Sequence, residues 1–321
     1  MKPVVEHGSQ AEPARRQPAP TWREVIDGLA AELGAGGIAG SRHVAERILC
    51  HVLGISRTEL LLRVAGPVEP ADAGKVAEIV RRRLAGVPLQ HIEGTVAFRD
   101  LVLVSDGRAL IPRPETEQLV QLVVDWAVHG GDAPGVRKVR RPSGQRTPLR
   151  ESALDIGTGS GAIALCLVLE SIVRLAVGVD VSELALEQAA ENRARADLDD
   201  TVELRRVETS PWDGVGPSET FDIIVCNPPY VTEAEMDELP REVREHDPHV
   251  ALFGGVDGLD MVREIARKAA EHLNPGGGLF LEIGERQGPD VLSILKDKGQ
   301  WTALRLVHDL AGRDRFVVAL T

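Results

Sequence analysis

The chain has 321 residues, 43% of them hydrophobic and 27% charged, with a formal net charge of −12. Those proportions suit a globular protein, and no apolar run approaches the roughly 20 residues of a membrane-spanning helix, so no membrane partner is expected. An acidic chain lacks the basic footprint of general nucleic-acid binding, and three widely separated cysteines, Cys50, Cys166 and Cys226, imply neither a disulfide framework nor a zinc site.

The first residues, MKPVVEHGSQAEPARRQPAP, are polar and proline-rich. They have too little to bury for a fold and no apolar core for a secretory signal. A disordered tail over 1–20 and a cytoplasmic protein are expected. From Thr21 the pattern turns helical. Thr21 can cap a helix whose residues Trp22, Val25, Ile26, Leu29 and Leu33 recur at steps of three and four. A break at Gly34–Gly40 follows, then a second helix from Ser41, a short one near Arg57–Val64 and a longer one from about Ala71 to Leu84. These make a small helical bundle over 21–90. Residues 91–112 shift to alternating, β-rich sequence and predict a hairpin linker.

A domain over 113–321 follows. It opens with a helix over 114–128. A segment at 131–150 has no apolar period and carries the basic cluster Arg137-Lys138-Val139-Arg140-Arg141, which predicts an inserted, solvated loop. From Ala153 strands and helices alternate. Strands are expected near 152–156, 174–179, 201–206, 221–226, 277–283, 302–307 and 314–320. This alternation predicts an α/β fold: seven strands, mostly parallel and covered on both faces. The short connection between the last two strands predicts an antiparallel pair at one edge.

Two motifs carry chemistry. The first runs Leu154-Asp155-Ile156-Gly157-Thr158-Gly159-Ser160-Gly161. A strand ends, a glycine-rich turn follows and a helix begins. Glycines let backbone approach a ligand closely, and the helix start offers free N–H donors. The next strand ends at Asp180, where a carboxylate can accept both ribose hydroxyls of a nucleoside cofactor. Gly157-x-Gly159-x-x-Ala162 also fits a dinucleotide fingerprint. Asp155 tips the balance: a carboxylate there suits the cationic end of S-adenosylmethionine (SAM) better than a pyrophosphate.

The second motif is Asn227-Pro228-Pro229-Tyr230, at the end of the fourth strand of the sheet, which should lie beside the first. The Asn227 side-chain oxygen and the Pro228 carbonyl are two acceptors on a backbone stiffened by two prolines. They can grip the hydrogens of a substrate NH2 group and aim its nitrogen. Tyr230, the chain's one tyrosine, offers a flat face to a planar group.

Together these motifs resemble the class I SAM-dependent methyltransferases that act on planar nitrogens. Ile111-Pro112-Arg113-Pro114-Glu115-Thr116-Glu117 is more specific and resembles the release-factor glutamine methyltransferases of the HemK/PrmC type. Pro88-Leu89-Gln90, Ala251-Leu252-Phe253-Gly254-Gly255, Glu282-Ile283-Gly284 and Asp309-Leu310-Ala311-Gly312-Arg313 are similar as well. The resemblance covers about residues 21–321. It implies a Rossmann-like seven-stranded sheet, a small N-terminal helical domain and no metal. It also implies methylation of the glutamine side-chain N5 in the Gly-Gly-Gln loop of peptide-chain release factors. Asn227, Pro228, Pro229 and Tyr230 would hold the glutamine. Asp155, Gly157, Thr158, Gly159, Ser160, Gly161, Asp180 and Asn227 would hold SAM, with Trp212 against the adenine.

Three positions depart from the family pattern. Pro211 replaces an acid, His91 a tyrosine, and Phe98-Arg99-Asp100 a Phe-x-Gly. An alternative acceptor is therefore a planar nitrogen in a small molecule, such as the guanidinium of free arginine.

Overall fold

The computed structural model describes residues 20–66, 73–129, 149–298 and 301–321. Residues 1–19 of the expected tail and 131–148 of the expected insertion lie outside the described residues. The chain divides into two compact units, Met1–Ala85 and Gly86–Thr321.

The first unit is helical. Helix α1 (Trp22–Ala35) begins with a capping box: Thr21 Oγ1 accepts from the Glu24 N–H, and Glu24 accepts from the Thr21 N–H. Helix α2 (Ser41–Leu53) starts after Gly40 in the left-handed region, and α3 (Arg57–Arg63) repeats the capping box with Ser56 and Glu59. Helix α4 (Ala73–Leu84) closes the set. Ile26, Leu33, Ile48, Leu49 and Leu60 are among the buried apolar residues of this unit. The buried Glu46 is paired with Arg57 at 2.8 Å.

The second unit opens with a short helix, α5 (Leu89–Glu93), which packs on strand β1 (Thr95–Phe98). Residues 91–93 of the expected hairpin are thus helical. Strand β2 (Leu101–Val104) pairs antiparallel with β1. Arg99 turns this hairpin with φ 51°, a conformation that glycine adopts more readily. It is held there by side-chain bonds to Glu170 (2.5 and 2.7 Å) and Gln121, and by the Glu117 carbonyl. A bidentate, largely buried ion pair thus supports the turn at Arg99.

The main sheet follows helix α6 (Pro114–His129). In chain order come β3 (Arg150–Ile156), α7 (Ala162–Leu169), β4 (Val173–Asp180), α8 (Glu183–Arg195), β5 (Val202–Arg206) and β6 (Phe221–Cys226). Then come the short helices α9 (Glu233–Met236) and α10 (Arg241–His246), and α11 (Asp260–Lys268). Strand β7 (Leu273–Glu282), α12 (Gly288–Lys298), β8 (Ala303–His308) and β9 (Asp314–Leu320) complete the unit. The strand order is β5-β4-β3-β6-β7-β9-β8. Strand β9 is antiparallel to both β7 and β8; the other pairs are parallel. This is the mostly parallel sheet with an antiparallel edge that the strand pattern predicts, and β6 lies beside β3 as expected.

Alternation along each strand feeds two cores. Ile223 and Val225 join Leu119, Val123 and Cys166 on one face. Ile224 and Cys226 join Val262, Ile265 and Val291 on the other. Cys166 and Cys226 are fully buried, and none of the three cysteines forms a disulfide.

One glycine of the sheet has a packing role. Gly178 pairs with Asp155 across β3 and β4. A Cβ there would stand 2.7 Å from Thr158 Oγ1 and 3.1 Å from Leu204. Gly178 therefore leaves room for the glycine-rich turn to fold back over the strand. Gly178→Ala is expected to destabilise the protein by about 1–3 kcal/mol through overpacking. Thermal unfolding followed by circular dichroism measures this; an unchanged midpoint would mean that Thr158 moves aside freely.

Candidate functional site

Parallel pairing sets the site. Ile156 pairs with Val179 on one side and Cys226 on the other. The residues that follow, Gly157, Asp180 and Asn227, therefore leave three neighbouring strand ends together. The β3–β6 junction is also where the strand order reverses, the usual place for a ligand in such sheets.

The glycine-rich turn doubles back at once. Gly157, Gly159 and Gly161 have φ of 69°, 55° and 82°. The N–H groups of Gly157 and Thr158 both donate to the Val179 carbonyl. Gly161 has no room for a side chain: a Cβ would lie 3.1 Å from Leu165 and 3.3 Å from Ala189. Asp155 anchors the turn from beneath, its Oδ2 accepting from Thr158 Oγ1 (2.7 Å) and the Ala164 N–H (3.1 Å). From β4, Asp180 accepts from the Gly159 N–H (2.8 Å) and the Ser182 N–H (2.9 Å). Burial pushes both carboxyls up, Asp155 to about 7.

Helix α8 ties this turn to the hairpin. Asn192 donates to the Ser160 carbonyl and accepts from the Val104 N–H, and Gln188 donates to the Val104 carbonyl. The segment after β2 is thereby brought over the turn, and Arg108, Ala109, Leu110 and Pro112 line the same cleft. Arg113 then pairs with the buried Asp247 at 2.5 Å, which fixes the start of α6 against the segment after α10.

Asn227 follows β6 and reaches back to α6: its Nδ2 donates to Thr116 Oγ1 (3.0 Å). Among the described residues no group donates to Asn227 Oδ1 or to the Pro228 carbonyl. Beyond Tyr230 the chain runs beside 252–254: Val231 N–H donates to the Leu252 carbonyl, and Gly254 N–H to the Val231 carbonyl. Gly258, at φ 75°, approaches so closely that a Cβ would stand 2.2 Å from the Tyr230 carbonyl oxygen. Gln287 staples this crossing by donating to the Tyr230 and Gly258 carbonyls.

The cleft brings together Gly157, Thr158, Gly159, Ser160, Asp180, Asn227 and Pro229 of the residues named from sequence. Gly161 packs beneath the turn. Pro228 is buried, and Tyr230 is half-buried with its phenol pushed up to about 12, first by burial and then by the charge of Glu282. Neither of these lines the cleft. Asp155 does not line it either; it is 0% exposed under the turn.

Trp212 requires a correction. It was expected against an adenine, but it is 5% exposed, stacks on His272 at 4.9 Å and donates its indole N–H to the Glu264 carbonyl. A large ring in an apolar core with its N–H satisfied has no reason to turn outward. Pro211, its neighbour, lines the cleft instead. The wall residues Ala109, Val250 and Met261 carried no sequence signal, since each is an ordinary apolar residue.

The cleft suits SAM on two observations. Its walls are mainly apolar, with carboxylates beneath and beside the turn. Asp155 Oδ1 is buried with no hydrogen-bond partner among the described residues, an orphan that a nearby cation would relieve. Among the described residues no group of three or more His, Cys, Asp or Glu is placed to hold a metal, and no helix is long and apolar enough to cross a membrane.

The raised Asp155 carboxyl yields a prediction. Folded, it ionises near 7; unfolded, it ionises near its ordinary 3.8. The folded form holds the proton more tightly. The associated stability is therefore complete below the unfolded value and is lost as pH rises through about 7. Asp155→Asn removes this titration while keeping an acceptor for Thr158. In the absence of cofactor, its melting temperature should gain on the wild type between about pH 5 and pH 8. A difference independent of pH would refute the raised carboxyl.

Comparison with known proteins adds a family. The model of the PrmC N-terminal domain matches residues 24–94, and that of the methyltransferase small domain matches 145–243. The release factor glutamine methyltransferase of Deinococcus radiodurans is 38% identical over 297 residues, covering 92% of this chain and 97% of its own. That of Gloeobacter violaceus is 38% identical over 307 residues, covering 94% and 97%. Among solved structures, the hMettl16 catalytic domain in complex with MAT2A 3′UTR hairpin 6 is similar with a TM-score of 0.51. That likeness covers 75% of this chain and 81% of the other at 13% identity, and concerns the fold.

Proposed function

The chain belongs to the release factor glutamine methyltransferase family, and on that footing we propose how its cleft carries out the transfer. It is an enzyme whose cofactor is S-adenosylmethionine. It methylates the side-chain amide nitrogen of the glutamine in the Gly-Gly-Gln loop of release factors. The observation that carries this reading is the position of Asn227, with an uncommitted side-chain oxygen, in one cleft with Asp180 and the glycine turn.

Bound there, SAM supplies an electrophilic sulfonium methyl. Asp180 and the turn 157–160 would hold it, and Asp155 would favour its positive charge from below. A glutamine amide is a weak nucleophile, so the protein's task is orientation and charge complementarity. Asn227 Oδ1, on the cleft, accepts one N–H of the amide and aims its nitrogen at the methyl; the Pro228 carbonyl, on the segment that follows just outside the cleft lining, is proposed as the acceptor for the second N–H. Both bonds strengthen as that nitrogen becomes positive, so they favour the transition state over the ground state. Pro229 limits the motion of this segment, and Tyr230 backs the amide. The transfer would leave the sulfur as a neutral thioether, and the nitrogen would lose its extra proton to water afterwards, so no general base is needed before transfer.

The net charge of −12 supports a protein partner over a nucleic acid. A release factor works in the cytoplasm, and the enzyme is proposed to work there too. The helical unit at the N-terminus is proposed to dock the substrate.

Labelled SAM offered with an unmethylated release factor, free arginine or duplex DNA tests the reading. A methyl group on the loop glutamine, located by mass spectrometry, is expected; methylation of arginine alone would transfer the mechanism to a small molecule. Asn227→Ala is expected to lower kcat by about 10²–10³ while SAM still binds. Asp180→Ala should instead weaken SAM binding in calorimetry. Near-normal turnover in the first variant, or unchanged affinity in the second, would overturn the respective role.

A further inference from the structure

The end of β7 holds a carboxylate that the mechanism above does not use. Glu282 is 1% exposed, and its Oε2 accepts from Thr116 Oγ1 at 2.9 Å. Thr116, in the first turn of α6, is 4% exposed and lines the cleft. Its Oγ1 in turn accepts from Asn227 Nδ2 at 3.0 Å. The three groups form one chain from the sheet to the cleft.

The order of donors in that chain is dictated. An ionised carboxylate only accepts, and a hydroxyl has one proton. Thr116 gives its proton to Glu282, so toward Asn227 it can only accept. Asn227 must then present its NH2 to Thr116, which leaves its oxygen for the cleft. The opposite orientation would set an NH2 against a substrate NH2, donor against donor.

We infer that Thr116 and Glu282 are positioning residues that fix the orientation of the Asn227 amide, making its oxygen the group that meets the substrate nitrogen. This rests on the reading of Asn227 given above. The chain has support at both ends. Arg113, three residues before Thr116 and next to Pro114 at the start of α6, is held by Asp247. Next to Glu282, the Ile283 carbonyl accepts from the buried Arg315.

Protonation should disturb the order. Burial pushes Glu282 up to about 7, against the opposing effects of the Thr116 bond, Arg315 and Arg113, with Glu115 adding to the rise. Tyr230 and Cys226 also feel its charge. A protonated Glu282 can donate to Thr116, which frees the hydroxyl to donate to Asn227 and lets the amide turn over. Transfer should then fall as pH drops below about 7.

Thr116→Val keeps the shape and removes the hydroxyl; Thr116→Ser keeps the hydroxyl. With the full chain, Thr116→Val is expected to lower kcat about ten- to a hundredfold, the effect of losing one buried hydrogen bond. SAM affinity should change less than about twofold, and Thr116→Ser should recover most of the loss. With SAM saturating, so that Asp155 does not limit the rate, Glu282→Gln, which does not titrate, should abolish the fall below pH 7.

A measurement that needs no acceptor substrate separates this inference from the function. In protein labelled with 15N-asparagine, with SAM bound, Asn227 carboxamide hydrogens should exchange with solvent faster in Thr116→Val than in wild type or Thr116→Ser. If the wild type methylates no release factor, the proposed function fails and the exchange rates still decide the positioning chain. Unchanged exchange in Thr116→Val overturns the inference. Equal losses in the Val and Ser variants overturn it too, since shape and not the hydroxyl would then matter.

Discussion

The site depends on the parallel register of β3 between β4 and β6. Pairing Ile156 with Val179 and Cys226 makes three strands end at one level. From that level a glycine turn, a carboxylate and an asparagine emerge side by side. A slip of one residue in either pair would turn side chains to the opposite face and separate the three groups. The register is itself held by burial on both faces, since Leu154 and Ile224 feed one core while Ala153 and Ile223 feed the other. Function here is secured by the same apolar alternation that secures the fold.

Around that level the molecule places unusual polarity in a dry setting. Asp155 and Glu282 are almost wholly buried, and both are raised to about 7 by desolvation. Each is nonetheless given specific donors, Thr158 and Ala164 for one and Thr116 for the other. Such groups weaken a fold unless satisfied, and they are found where orientation matters more than stability. Asp155 shapes the glycine turn from below. Glu282 stands behind Asn227 through Thr116. In the proposed mechanism these two buried carboxylates serve the two halves of one transfer, and neither needs to touch the reacting atoms.

Much of this was legible in the chain itself. The glycine turn, Asp180 and the Asn-Pro-Pro-Tyr segment announce themselves because each needs a residue type that ordinary packing does not: positive φ, a strand-end acid, a stiffened acceptor pair. The capping boxes at Thr21 and Ser56 are equally local. Trp212 was misjudged because a tryptophan near a ligand and a tryptophan in a core look alike in sequence. Only the stack on His272 and the bond to the Glu264 carbonyl distinguish them. The left-handed backbone of Arg99 has no local cause in the sequence; its partner Glu170 lies 71 positions away.

The sequence by itself determined the order and kind of the long elements, the parallel sheet with its antiparallel edge, and the two motifs. Those follow from short-range periodicity and from the backbone demands of glycine and proline. Only the tertiary structure decided that Thr116 and Glu282, 166 positions apart, join behind Asn227. It alone decided that Pro211 and not Trp212 faces the cleft, and that the crossing at Gly258 holds the Tyr230 backbone. Hydrogen bonds between distant side chains leave no period in a sequence. They exist only once burial has brought the strands together and removed the water that would otherwise satisfy those groups.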